Sequence, residues 1–433
     1  MRRLVFLTLA WASACQPEAP APGDASEPPE ARPREADVQG SGAEGAVAAI
    51  PAPVREGAAA PRLALTAAGT PLLSWTEPDT TGGTPGHALR YSLWRGGGWT
   101  EPGTAARGAD WFVNWADTPG VVPLADGRLL AHWLRMHPEG NSPYAYDAAF
   151  SLSDGAGWAP EALLHDDGLA AEHGFVSAVP VGAGAAAVWL DGRDAAGHDG
   201  GHGHGGAMTL RAARVTASGT LAGEARLDAR VCDCCPTALV AAGGARGASG
   251  GTLVAAYRDR SAREVRDIAV VRRVDGAWTE PAVPHADGWR IEGCPVNGPA
   301  LAARGPRVAL AWFTAAEDRP RVRLAFSEDA GATWGEAMTL DGAAPLGRVG
   351  VALLASGEAA VVWLGGAASG GGGVLNVQRV PASGAAGPRV EVARLEASRA
   401  VGVPVIVPHG AGALVAWTDP AAPVPVQTAT VTF

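Results

Sequence analysis

The chain has 433 residues, a formal net charge of −10, 47% apolar and 18% charged residues, and no lysine. An acidic balance of this kind with no basic run excludes the usual electrostatic footprint of a nucleic-acid partner. The missing lysine reads as codon bias and carries no functional weight.

In chain order, Arg2 and Arg3 give a positive start, Leu4 to Trp11 form an apolar run, and Ala12, Ser13 and Ala14 are small. This is the layout of an export signal. The run is too short to stay in a bilayer as a spanning helix. The stretch Ala12-Ser13-Ala14-Cys15 resembles a bacterial lipobox, which implies cleavage before Cys15 and acylation of that cysteine, so that the acyl chains supply a membrane anchor. The alternative is an ordinary signal peptide cut at the small residues. Because Gln16 and not Asp follows Cys15, the lipobox reading implies an outer-membrane or cell-surface location.

Residues 1–14 are thus read as a lipoprotein signal peptide, and 15–60 as a disordered tether rich in Pro, Ala and Glu. The tether contains no aromatic residue and no hydrophobic period. Such a segment buries too little apolar surface to offset its chain entropy. Residues 61–433 form the globular part, which is larger than an ordinary single core.

A short apolar strand ending in an aromatic recurs along that part. Its copies end at Trp75, Trp133, Trp189, Tyr257, Trp312, Trp363 and Trp417, at spacings of 51 to 68 residues. Tight turns rich in Gly and Asp close on a further Trp, at Trp99, Trp158, Trp278 and Trp334. Even spacing without amphipathic helices predicts an all-β propeller of four-stranded blades. Seven repeats are counted, and a six-bladed ring with extra terminal strands is the alternative.

The run Ser327-Glu328-Asp329-Ala330-Gly331-Ala332-Thr333-Trp334 is similar to the Asp-box of sialidases and their relatives, and Ser151 to Trp158 is a degenerate copy. Longer runs resemble bacterial proteins of the sialidase family. They include Trp111 to Asp117, Glu172 to Phe175, Trp189 to Arg193, Cys232 to Pro236, Tyr257 to Arg260 and Gly293 to Pro299. The resemblance implies three arginines on a substrate carboxylate, a tyrosine nucleophile paired with a glutamate, and an aspartate as acid/base. The chain departs from that pattern at two points. The first-blade Arg-Ile-Pro signature is absent, the nearest arginine being Arg62, and no tyrosine follows Tyr257.

A propeller chain alternates faces, so the links between blades and the loops between second and third strands share one mouth, while Asp-box turns lie opposite. That alternation sends Asn114, Asp117, Glu172, the four cysteines and Arg348 to the mouth, together with Arg193, Arg258, Arg260 and Glu264. Arg193, Arg258, Arg260 and Arg348 are expected to bind an acidic glycan, since guanidinium matches a carboxylate with two donors. Asn114 and Glu172 are expected beside them. Asp117 is a candidate proton donor if Trp111 and Trp115 raise its pKa, and Tyr257 with Glu264 is the candidate nucleophile pair.

Cys232, Cys234, Cys235 and Cys294 are expected to pair as disulfides in an exported chain. A metal thiolate site is the alternative, although Cys-x-Cys-Cys differs from ordinary zinc spacing. No cofactor is required by this reading. A divalent metal at His198, His202 and His204 in a glycine-rich loop is the one metal suggestion. Two functions stay open: a hydrolase of sialic acid or another acidic glycan, and a non-catalytic propeller that binds a glycan, protein or metal.

Overall fold

The computed structural model describes residues 45–433 apart from 82, 141, 196–205, 245–250 and 368–370. The chain divides into Met1–Asp37 and Val38–Phe433. The first unit, with the signal and Cys15, lies outside the described residues, and so do His198, His202 and His204.

The second unit is a ring of seven antiparallel sheets, one for each sequence repeat. The blades begin with first strands Ala59–Leu65, Gly120–Pro123, His173–Val181, Ala238–Ala242, Ala300–Arg304, Pro345–Leu353 and Val405–His409. Six blades are four-stranded, and blade 1 splits its edge into Gly98–Trp99 and Gly103–Gly108. The seven-bladed expectation holds, and the six-bladed alternative falls.

Blade 7 is completed from the other end of the unit. Strand Ala46–Ile50 pairs antiparallel with Val426–Thr432, so the ring is closed by hydrogen bonding between the two ends. That strand lies inside the stretch expected to be tether. It went unread because it is an outer strand with three of its five residues exposed, and it therefore carries no apolar stripe.

The second strands are sandwiched between neighbouring blades, which explains their continuous apolar character. Gly184–Asp191 is buried at all eight positions. The repeat aromatics fill the space between sheets, with Trp75, Trp189, Trp312 and Trp363 at most 1% exposed. Each of five repeat indoles donates its N–H to a carboxylate: Trp75 to Glu77, Trp133 to Glu161, Trp189 to Asp191, Trp312 to Asp287 and Trp363 to Asp341. Each of these acids also pairs with an arginine, respectively Arg90, Arg135, Arg211, Arg323 and Arg389. Much of the Arg/Asp/Glu density is therefore a repeating tie that satisfies buried polar groups.

The Asp-box is a self-satisfied turn. Asp329 Oδ1 accepts from Thr333 N at 2.8 Å and from the Ser327 hydroxyl at 2.8 Å, while Gly331 N donates to Ser327 Oγ at 2.8 Å. Gly331 has φ +79°, which glycine adopts without strain. Hydrogen bonds from Thr333 hold Asp329 down to about 2. The box is thus a structural device with no side chain left over for chemistry.

Candidate functional site

The links and second-to-third-strand loops gather on one face, and a buried acid cluster lies there. Asp117, in the link before blade 2, is 2% exposed. Its Oδ1 accepts from Phe175 N at 2.7 Å and its Oδ2 from the Tyr146 hydroxyl at 3.1 Å. The same hydroxyl lies 2.8 Å from Glu172 Oε1. Local backbone makes this possible, because a bulge in the first strand of blade 3 puts Phe175 at φ 53° and turns its N–H onto Asp117. Gly174 permits the approach, since a Cβ there would sit 2.0 Å from Asp117 Oδ2.

Burial raises Asp117 to about 7, against the pull of the Phe175 N–H, the Tyr146 hydroxyl and the Arg62 charge. Burial likewise raises Glu172 to about 8, with Asp117, Asp233 and Cys294 adding repulsion. Tyr146 is pushed well above the ordinary phenol range by burial and by the two carboxyls. A phenol has one hydrogen, so it donates to one carboxylate, and its second contact is completed by a proton on the other carboxyl. The trio therefore stores a proton near neutral pH.

Arg62, on the first strand of blade 1, reaches the same neighbourhood. Its Nε donates to Thr118 Oγ1 at 3.0 Å, and one terminal nitrogen lies 3.3 Å from His132 Nε2. Burial lowers its pKa, and the Asp117 charge opposes that. Arg62 also lines an axial cavity of about 700 Å³ formed by the first strands of all seven blades.

Around the acids the mouth is aromatic. The Phe112 ring stacks on Tyr146 at 4.4 Å, and Tyr144, 56% exposed, sits edge-on to Phe112 at 6.3 Å. Arg348 stacks over Trp115 at 4.7 Å and donates to the carbonyls of Ser398 and Gly402. Burial and the neighbouring Arg399 lower its pKa, and neither arginine has a carboxylate partner among the described residues.

Other expected site residues have different work. Tyr257 stands at the repeat-aromatic position of blade 4, and its hydroxyl donates to Asp228 at 2.6 Å, just as the repeat indoles serve their acids. Glu264 instead pairs with Arg260 and Arg266. These contacts do not join Tyr257 and Glu264 as a pair.

Arg258 is 2% exposed, with its donors spent on the carbonyls of Asn297, Arg266 and Phe313. It ties blade 4 to the next blade. Arg193 is bound by Asp167, Asp191 and Glu224. Arg260 also meets Asp233. Asn114 closes its own turn by accepting from Ala116 N. Charge in a protein interior is paired first with charge or carbonyls, and that leaves Arg258, Arg193 and Arg260 with no free face for a carboxylate.

Tyr146 was not singled out from sequence. It is one of four tyrosines in the chain. It begins the third strand of blade 2, at the end of a mouth-facing loop, so the same face alternation could have found it.

The four cysteines also gather here, as free thiols. Cys232 Sγ lies 3.4 Å from Cys235 Sγ, and Cys232, Cys234 and Cys235 place their sulfurs within 4.8 Å of one another. Cys294, on the next link, is a neighbour of Cys234.

No protein-family model and no curated protein matches the chain. Among solved structures, it is similar to a PL25 polysaccharide lyase, an ulvan lyase, with TM-score 0.50 and 13% identity over 89% of this chain and 96% of that one. It is also similar to a Dyadobacter fermentans protein of unknown function, with TM-score 0.48 and 14% identity over 91% and 99%. A sialidase of Streptococcus pneumoniae gives TM-score 0.41 and 11% identity over 90% and 95%. At these identities the likeness concerns the fold alone: the chain is a seven-bladed β-propeller, and its fold is similar to that of the ulvan lyase.

Proposed function

We propose that the mouth binds and cleaves an acidic glycan, with Asp117, Tyr146 and Glu172 as the proton-handling group. The observation that carries this reading is the single Tyr146 hydroxyl held between two carboxyls, one of which keeps a proton near neutral pH. A carboxyl protonated at that pH can serve as general acid, and its ionised partner as base. The contacted carboxyl oxygens are no farther apart than about 6 Å, the two contacts laid end to end. That ceiling lies below the roughly 6.5–9.5 Å of inverting glycosidases and admits the roughly 5–5.5 Å of those that form a covalent intermediate. Tyr146 with Glu172 and Asp117 also supplies the three residue types that the sialidase resemblance implies.

Tyr144 and Phe112 offer an apolar surface for the C–H face of a sugar, and the Arg348–Arg399 pair offers positive charge without an internal carboxylate. The names of the similar structures, a sialidase and an ulvan lyase, point to the same ligand class. Attachment to the cell surface through acylated Cys15 belongs to this reading and is tested by labelling wild type and Cys15→Ser with a palmitate analogue.

A non-catalytic glycan-binding mouth is the second reading, favoured by the depth of Tyr146, 1% exposed. A fluorogenic sialoside and a uronate-containing polysaccharide, offered to wild type and Tyr146→Phe, separate the two. Turnover that Tyr146→Phe abolishes supports cleavage. Binding without turnover in both supports the second reading, and neither binding nor turnover sinks both.

A further inference from the structure

We propose that Cys232, Cys234, Cys235 and Cys294 form a tetrathiolate site for one thiophilic closed-shell cation, Zn(II) or Cu(I). Three of the sulfurs converge within 4.8 Å of one another, and Cys294, on the next link, is a neighbour of Cys234 outside that set, so that it would close in as the fourth ligand. Sulfurs around a tetrahedral ion with bonds near 2.3 Å lie roughly 3.8 Å apart, and the 3.4 Å between Cys232 and Cys235 is close to that. The pair has the Cys-x2-Cys spacing that metal knuckles use, a relation hidden in sequence by the intervening Cys234.

Charge around the cluster gives a second, independent argument. Arg266 donates to Cys232 Sγ at 3.2 Å. Arg258, almost wholly buried, donates to carbonyls and stacks over Trp289 at 4.8 Å, with no carboxylate partner among the described residues, and its charge acts on Cys235. A buried guanidinium without a counter-anion is costly. Four thiolates carry a net charge of about −2 around Zn(II) and about −3 around Cu(I), which the Arg258 guanidinium partly offsets, with Arg266 shared between Cys232 and Glu264. Two neutral disulfides would leave Arg258 without a counter-anion among the described residues, while Arg266 would keep Glu264. On binding, the ion displaces the remaining thiol protons to solvent, and no electron is exchanged. Cys294 is exposed and offers the route for the ion.

The test uses the full chain, reduced under anaerobic conditions and offered Zn(II) alone or Cu(I) alone against a chromophoric chelator. The expected result is one ion per chain, four thiols protected from alkylation while the ion is bound, and at least a tenfold loss of affinity in Cys294→Ser, whose exposed position spares the core. Arg266→Gln should weaken binding by a similar factor while the circular dichroism spectrum is unchanged, a loss that ligand geometry alone would not give. The site is refuted if the reduced chain takes up neither ion. It is also refuted if peptide mapping finds two disulfides that re-form in the presence of either ion, or if Cys294→Ser binds as tightly as wild type. These readouts are independent of glycan turnover.

Discussion

Replacing Asp117 by Asn keeps the shape of the side chain and removes its titrating proton. In the folded chain burial lifts Asp117 from 3.8 to about 7. A folded-state pKa above the unfolded one means that the folded chain binds the proton more tightly. Stability is then full below the unfolded value, falls as pH rises between the two values, and is flat above the folded one. Each tenfold change in proton affinity is worth about 1.4 kcal/mol, so the whole effect has a ceiling of about 4 kcal/mol, of which roughly 2–3 falls between pH 5 and 8. It is a ceiling because Glu172 shares Tyr146 and titrates with Asp117. Urea unfolding of both proteins at pH 5, 6, 7 and 8 measures the difference. Wild type should lose stability relative to Asp117→Asn across that range, and glycan cleavage should vanish in the variant. Parallel pH curves would show that Asp117 does not titrate there, and the proton store would have to be assigned to Glu172 alone.

Arg258→Ala should destabilise the fold by about 3 kcal/mol or more, since three buried carbonyls lose their donors at about 1–3 kcal/mol each; chemical denaturation checks this, and lost glycan binding at full stability would return Arg258 to the ligand site. Tyr257→Phe should cost about 1 kcal/mol and leave turnover unchanged, because its hydroxyl serves Asp228; a large fall in kcat at wild-type stability would revive the nucleophile reading. Gly174→Ala should lower the melting temperature and flatten the pH dependence described for Asp117, because its Cβ would meet Asp117 Oδ2 at 2.0 Å.

The blade count was legible because the second strands are buried on both faces and repeat an aromatic, a signal that survives in one dimension. The outer strand Ala46–Ile50 was not, because an edge strand exposed at three positions looks like tether. Asp117 and Glu172 were legible as mouth residues from face alternation alone. Tyr146 lay within reach of the same face alternation, but its meeting with Glu172 runs through an isolated bridge between a strand start and a distant link, which no local spacing encodes. The internal partners of the arginines were hidden for a related reason. Arg193 and Arg258 do stand at the mouth, but whether a guanidinium faces solvent or a carbonyl is decided by neighbouring blades, and no local spacing encodes that.

Two places in the ring solve the same geometric problem with different chemistry. In blade 3 the left-handed Phe175 donates its N–H to Asp117 Oδ1 at 2.7 Å, and in blade 6 the left-handed Arg348 donates its N–H to Asn297 Oδ1 at 2.7 Å. The glycine before each makes room for the visiting side chain, with a Cβ at Gly347 falling 2.3 Å from Asn297 Oδ1. An amide therefore caps such a bulge as well as a carboxylate does, and without any cost of burying charge. The carboxylate at 117 makes the fold less stable near neutral pH and gives the bulge nothing that Asn would not. A group that costs stability and has a neutral substitute of equal geometry is a functional-site candidate, and the proposed function therefore rests on Asp117. Asp117 differs in this from the repeat acids, each of which is tied to its own indole and arginine.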